Sequence, residues 1–393
     1  MKAIKTNGQV WGWGSNGVGQ LGDLSTNNKS SPVSVVGNHS FIYIDPGLNS
    51  SLAIKQNTQT WSWGCNTYGQ LGTNNRSSYS SPVQVVGNHA FIIVKTHSEH
   101  SIALKPDGSL WAWGYNAHGQ LGTNNTASYS SPVQVVGNHS FINMSTRYRH
   151  SLALKSNGNI WSWGYNNFGE LGNNTRDGKS SPIQVVGNHS FIKISLGEYS
   201  SYGLKSDGKV WSWGNNSYGQ LGTNNTTSYS SPVQVLGEHS FKKISAGRHF
   251  CLGLKSDGSI WSWGVNFFGQ LGDNSKNHRS SPVQVVGSHS FIDIKAEDTR
   301  SFGLKTNGQI WAWGFNQIKG YLGDGTVNDR SSPVRVIGNH SFLTLDTGLS
   351  LKLNISGTWI NNPVGFVNIS GTWQKIQEAY INANGTWDSL LYR

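Results

Sequence analysis

The tetrapeptide Trp-x-Trp-Gly begins at Trp11, Trp61, Trp111, Trp161, Trp211, Trp261 and Trp311, a strict period of 50 residues. Ser-Pro steps at Pro32, Pro82, Pro132, Pro182, Pro232 and Pro282 keep the same spacing, and Pro333 comes one residue late. The seventh copy therefore carries a one-residue insertion near residues 317–321. A period of this length means stacked supersecondary units, each burying its apolar face only against its neighbours. Fourteen of the 17 Trp are accounted for by these seven copies.

Within a copy, four short runs are separated by turn residues, the pattern of strands. In residues 191–236 the first run is Phe191-Ile192-Lys193-Ile194, with Ile192 and Ile194 expected on one face. The second is Ser201-Tyr202-Gly203-Leu204-Lys205, and the third is Val210-Trp211-Ser212-Trp213-Gly214. The fourth is Pro232-Val233-Gln234-Val235-Leu236. Ser206-Asp207-Gly208 makes a tight hairpin in which glycine supplies positive φ. Four strands per copy and seven copies predict an all-β, seven-bladed β-propeller of four-stranded blades. A solenoid is the rival, but it needs atypical capping copies, and the end copies are ordinary. The chain starts in a second strand (2–5) and leaves an unpartnered first strand at 342–345. Pairing of these two would seal the ring and remove two sheet edges. The expected domains are residues 1–346, the propeller, and 347–393, a small β-hairpin extension.

Composition agrees. Only 12% of residues are charged and 49 are Gly, which suits short strands and polar turns rather than helices. The net charge of +11 favours anionic partners. Its basic residues are scattered through the repeats rather than clustered, which argues against nucleic acid. Cys65 and Cys251 occupy different positions of different copies, so no bridge between them is expected. No signal peptide and no membrane-spanning apolar run are apparent, which predicts synthesis in a cytosol and no membrane insertion.

Arg149-His150-Ser151-Leu152-Ala153-Leu154 and Asn266-Phe267-Phe268-Gly269-Gln270-Leu271-Gly272 carry a longer motif that recurs through residues 1–346. That motif resembles the repeat of the regulator of chromosome condensation family. The resemblance independently implies a seven-bladed propeller. It does not fix a function, because this fold serves a GTPase exchange factor, a β-lactamase inhibitor and other modules. Exchange activity in that family is ascribed to a wedge inserted in one blade. No insertion here exceeds one residue, so exchange is not expected.

Alternating strand direction places the loops after first and third strands on one face of the disc. The opposite face is monotonous. It carries a ring of Lys5, Lys55, Lys105, Lys155, Lys205, Lys255 and Lys305, and a ring of His39, His89, His139, His189, His239, His289 and His340. A sevenfold ring cannot bring three or four ligands to one metal, so the His ring is expected to be structural or solvated. The Lys ring is expected to be a solvated rim, with an anionic partner as the alternative.

The first face is diverse, and loop-borne variation on a uniform scaffold is how recognition sites are built. The candidate ligand-binding residues after first strands are His97, Glu99, His100, Arg147, Tyr148, Arg149, His150, Tyr199, Arg248, His249 and Arg300. After third strands they are Tyr68, Tyr115, His118, Phe168, Tyr218 and Phe267, with Tyr79, Tyr129 and Tyr229 further along the loops. Tyr and Arg are common contact residues and aromatic rings suit sugar faces. About half of these aromatics are expected to pack on neighbouring blades. Catalysis has little support, since only 19 carboxylates exist and several serve turns. No phosphate loop, nucleophile triad or metal-ligand spacing appears, and neither cofactor nor metal is expected.

The tail has another period. Gly-Thr-Trp recurs at Trp359, Trp373 and Trp387, 14 residues apart, and predicts three hairpins: 353–355 with 358–360, 366–369 with 372–376, and 379–382 with 386–390. So small a unit cannot bury much core alone. The wording resembles the Gly-Thr-Trp hairpin repeats of bacteriophage tail and minor structural proteins, which implies a virion component anchored or oligomerised through these tryptophans. The leading expectation is a non-catalytic tail- or fibre-associated virion protein, made in the host cytoplasm, that recognises a host surface glycan or protein. Other virion proteins, or a second copy of the chain, would bind its tail. A cellular protein-interaction propeller is the first alternative and a glycan-active enzyme the second.

Overall fold

The computed structural model describes residues 2–4, 7–317, 320–338 and 345, together with the backbone of six tail strands between residues 351 and 389. Every regular element among the described residues is a β-strand. The first copy contributes β1 (Lys2–Ile4), β2 (Val10–Gly14) and β3 (Lys29–Ser34), a three-stranded antiparallel sheet in chain order. The second contributes β4 (Phe41–Pro46), β5 (Ser50–Lys55), β6 (Thr60–Gly64) and β7 (Tyr79–Gln84), a four-stranded sheet also in chain order. Five further four-stranded sheets follow, one per copy, ending with the strand Arg330–Arg335. The architecture is therefore an all-β propeller. The segment 342–345, expected to complete the first sheet, falls outside the described residues apart from Leu345.

Each Trp-x-Trp-Gly strand lies in the middle of its sheet, and its second Trp is fully buried from Trp13 to Trp313. That Trp joins neighbouring sheets. The indole N–H of Trp113 donates to the Gln70 carbonyl of the preceding copy, as Trp163 does to Gln120 and Trp213 to Glu170, at 2.8–2.9 Å. A glycine of the preceding copy lies against the same ring. A methyl group on Gly22 would come within 3.0 Å of Trp63, and Gly272 stands likewise to Trp313. The last copy meets the first in this way: a methyl on Gly323 would lie 3.3 Å from the Trp13 indole nitrogen. Leu345 is buried with Phe302, Leu304 and Ile310, and its N–H donates to Asp293 Oδ2 at 3.0 Å.

Two local expectations need correction. In residues 191–196 the strand is Lys193–Leu196, with Phe191 buried and Ile192 49% exposed. Two first strands enter their sheets irregularly, with register shifts between Phe41 and Tyr43 and between Phe241 and Lys243. An extra residue there breaks alternation. The outer strand begins at Tyr229, three residues before Pro232. Gly214 pairs with Tyr229 across another register shift, so Tyr79, Tyr129 and Tyr229 open strands rather than occupying loops.

The tail forms three hairpins: Leu351–Ile355 with Thr358–Asn362, Phe366–Ile369 with Thr372–Lys375, and Tyr380–Ala383 with Thr386–Ser389. Their registers are equivalent, with Trp359 opposite Asn354, Trp373 opposite Asn368 and Trp387 opposite Asn382.

Candidate interaction face

The loops after first and third strands do share one face. In six copies a third-strand loop donates a backbone N–H to a first-strand loop carbonyl: Cys65 to Asn49, Tyr115 to Glu99, Tyr165 to Arg149, Asn215 to Tyr199, Val265 to His249 and Phe315 to Thr299, at 2.7–3.1 Å. The long loop is held from inside by a buried asparagine. Asn116 Oδ1 accepts the Leu121 N–H at 2.9 Å while its Nδ2 donates to Thr123 Oγ1 and the Asn125 carbonyl. Asn16, Asn66, Asn166, Asn216, Asn266 and Asn316 are likewise buried. With every loop pinned at its base, the side chains at its tip are free to vary.

Those tips meet in a belt of rings running from copy to copy. Tyr68 contacts Tyr115 at 4.8 Å between centroids, Tyr115 contacts His118 at 6.1 Å, and His118 contacts Tyr165 at 5.2 Å. Tyr165 and Phe168 both contact Tyr199, at 5.8 and 5.3 Å. Tyr199 stacks near His249 at 6.3 Å, His249 meets Tyr218 at 5.9 Å, and Tyr218 meets Phe267 at 6.0 Å. Such edge and tilted pairs are favourable and fix each ring's orientation. Phe267 is still 54% exposed, Tyr218 39% and Tyr68 36%. Tyr165 and His278 belong to this belt and were not singled out from the sequence. Tyr165 meets His118 and Tyr199 of other copies, and His278 meets Tyr218 of the preceding copy as well as Phe267 of its own loop.

Charge is set into the belt at Glu198. Its buried carboxylate is bound by the Arg248 guanidinium and by His249 Nε2 at 3.1 Å. Burial alone would raise its pKa, but the hydrogen bonds from His249 and Arg248 overcome that and hold it at about 2. The Arg248 side chain remains half exposed. Tyr148 contacts Tyr199 at 5.5 Å, and the Arg149 guanidinium lies 4.9 Å over the Tyr148 ring. His97 and Glu99 are half-buried beside them. Burial raises the Glu99 pKa, and Arg149 acts against the rise.

Four of the named residues are consumed by packing instead. His100 and His150 are buried, with Nε2 3.1 Å from Ser151 Oγ and 3.2 Å from Ser201 Oγ of the following copies. Burial lowers both pKa values to about 3, so both rings are neutral. Arg147 is buried and donates from Nη1 to the Ala246 carbonyl at 3.0 Å, two copies away. Arg300 is buried over Tyr321 at 4.3 Å. Position in a loop did not distinguish these pegs from exposed neighbours, since both follow the same strand. Trp359, Trp373 and Trp387 lie on strands of the tail hairpins.

On the uniform face the rings of His and Lys turn out to be one device. His39 lies 4.5 Å from Trp61 and Lys55 Nζ 4.4 Å from the same indole. The pattern repeats at Trp111, Trp161, Trp211, Trp261 and Trp311, with His at 4.1–4.3 Å and Lys at 4.3–4.8 Å. The described lysines are thus half-buried cation–π partners rather than a solvated rim. Lys5 and His340 lie outside the described residues. Among the described residues no cluster of three His, Cys, Asp or Glu could hold a metal ion.

The sequence matches the family model "RCC1-like domain" over residues 99–351, and the model "Regulator of chromosome condensation (RCC1) repeat" over residues 7–54 and 59–104. No curated protein matches. Among solved structures, yeast RCC1 (Prp20) bound to Kap60 is similar at TM-score 0.75 and 21% identity, covering 86% of this chain and 85% of that one. Prp20p from Saccharomyces cerevisiae, described with its binding properties to Gsp1p and histones, is similar at TM-score 0.76 and 22% identity, covering 86% and 88%. Human WBSCR16 is similar at TM-score 0.76 and 20% identity, covering 85% and 94%.

Proposed function

Because the chain belongs to the family of RCC1-like domains, we propose that it is a non-catalytic propeller that binds another protein through the face carrying the aromatic belt. One observation carries this reading: a continuous path of rings from Tyr68 to Phe267, partly exposed and centred on the Arg248–Glu198 pair. Rigid aromatics beside an exposed Arg are the residue types that supply most binding energy at protein interfaces. A uniform opposite face, closed by His–Trp–Lys stacks, serves as scaffold. The yeast propeller described as binding Gsp1p and histones supports a protein partner.

The same reading takes the propeller as seven-bladed, sealed by residues 342–345 beside β1. Support comes from Gly323 against Trp13 and from Leu345 in the core of the last complete sheet. Absence of catalysis is supported by the carboxylates of the face: Glu198 is held by Arg248, and Glu297 lies 3.9 Å from Arg300. The virion reading, with a host glycan as ligand, rests only on the Gly-Thr-Trp hairpins. Family membership favours the protein-interaction alternative.

The test is a binding series against core histones, Gsp1p and proteins captured by the intact chain. Tyr199→Ala, Tyr218→Ala and Arg248→Ala should each weaken capture by about tenfold or more, the loss of a contact worth ~1.4 kcal/mol or above. Equal capture by wild type and all three variants would exclude this face.

A further inference from the structure

One loop departs from the repeat at two linked positions. The sixth copy carries Phe267 where the others have Gly17, Thr67, Ala117, Asn167, Ser217 and Gln317. It carries His278 where the others have Asn28, Ser78, Ser128, Gly178, Ser228 and Asp329. His278 keeps the local bond of that position: the Asn266 N–H donates to its Nδ1 at 3.0 Å, as the Asn66 and Asn116 N–H groups donate to Ser78 and Ser128 Oγ at 3.1 Å. A hydroxyl therefore suffices to close the loop, and the imidazole adds only a ring at the surface. Phe267, His278 and Tyr218 are all exposed. Phe267 meets His278 at 4.4 Å and 90°, and Tyr218 meets Phe267 at 6.0 Å and 75° and His278 at 5.4 Å and 86°. Three exposed rings held edge to face make a rigid apolar patch of the kind that marks a contact site.

Fixed donors frame these rings. Arg248 turns Nε and Nη2 onto the buried Glu198 carboxylate, and Arg279 turns Nε and Nη2 onto Asp273, whose side chain is 2% exposed. Neither Nη1 makes a hydrogen bond among the described residues, and the two arginine side chains stay 51% and 39% exposed. Tyr218 lies 5.9 Å from His249, the neighbour of Arg248, while His278 is the neighbour of Arg279, so the rings link the two guanidinium sites. Lys276 is exposed on the same loop. The nearby carboxylates are covered: Glu198 and Asp273 are held by their arginines, and Asp298, which acts on Arg248 from the next copy, is half-buried.

We propose that this end of the belt seats an acidic peptide segment of the partner protein. An apolar side chain of that segment packs on Phe267, Tyr218 and His278, and carboxylates flanking it accept hydrogen bonds from Arg248 and Arg279. The proposal rests on the belt reading and narrows it to one sector and one chemistry. Each guanidinium is already held by its own carboxylate, so little freedom is lost when a second acceptor arrives. A lysine or a methylated ammonium would suit the rings, but the charges presented beside them are Arg248, Lys276 and Arg279. A phosphodiester strand could stack on the same rings, yet Glu198 and Asp273 offset the two arginines and leave no basic track for a nucleic-acid backbone.

In the experiment a library of random dodecapeptides is selected on the intact chain, and the peptides recovered are titrated by fluorescence anisotropy. They should carry Asp or Glu on both sides of an aromatic or large aliphatic residue. Phe267→Ser, which gives the sixth copy the residue that the fifth carries at Ser217, should weaken them by about tenfold or more, and Lys276→Glu by about threefold or more. Both variants should keep the wild-type melt, because Phe267 and Lys276 are exposed, and Lys209→Gln on the opposite face should bind as wild type does. Recovery of no peptide, or of peptides without flanking acids, overturns the proposal. So does equal binding by Phe267→Ser, or a thymidine decanucleotide that binds more tightly than every peptide. A captured protein partner separates this site from the belt as a whole. Its loss in Tyr199→Ala with full retention in Phe267→Ser overturns the site alone, whereas retention in both overturns the belt reading too.

Discussion

Glu170 stands where five other copies carry Gln20, Gln70, Gln120, Gln220 and Gln270. One carboxylate oxygen accepts the Phe168 N–H at 2.8 Å, as the glutamine oxygens do in their copies, and the other is buried without a partner. Burial raises its pKa to about 8. The folded state therefore holds a proton that the unfolded chain has lost above its ordinary carboxylate pKa. Stability from this group falls as pH rises from about 4.5 to 8 and then levels. Glu170→Gln should abolish that slope and gain about 2–4 kcal/mol at pH 8, read by denaturant titration across pH. Glu198 has the opposite sign. Its depressed pKa contributes stability above about 4.5 that is lost as pH falls towards 2. Glu198→Gln should remove that acid-side loss while lowering stability at neutral pH. The sequence displayed Glu198 in its loop and Glu170 as a departure from Gln. What it could not display were partners 50 residues away, and these decide which charge is a lock and which a liability. The buried asparagines were visible as a repeated letter, but their role appears only when the loop closes around them.

A hairpin shows how a copy is kept uniform. Gly208 has φ of 81°, and Ser240 Oγ occupies the space a side chain would take. Gly208→Ala should cost about 1–2 kcal/mol from the left-handed backbone, and more from the clash. Adding Ser240→Ala should recover about 0.5–1 kcal/mol of coupling in a double-mutant cycle. The second copy has already made this exchange as Thr58 and Ala90. Both letters were readable from copy-to-copy alignment; the monotony of the other hairpins hid them. Strands were legible because Trp-x-Trp-Gly and Asp-Gly or Asn-Gly turns mark them. The error at Tyr229 falls at a register shift, where an extra residue defeats period-two counting, and the one at Ile192 falls just before the ladder begins at Lys193. The His and Lys rings were visible too, but not that each pair meets on a single Trp of the adjoining strand.

Across the whole molecule, the architecture followed from the 50-residue period, since no unit of four strands buries both its sides alone. Which loop tips touch did not follow, because the belt joins residues that belong to different copies. Closure makes its own prediction. A chain ending at residue 346 should keep the full-length melt within a few degrees, whereas one ending at 341 should lose at least roughly 10 °C, having left an inner sheet edge unpaired. The most direct test of the functional account is a hydrogen-exchange footprint of the intact chain with a captured protein partner. Slowed exchange should appear at 148–149, 165–168, 198–199, 217–218, 248–249 and 266–268, with 105–109 and 205–209 unchanged. Protection at those hairpins instead, with the aromatic belt exchanging freely, would contradict it.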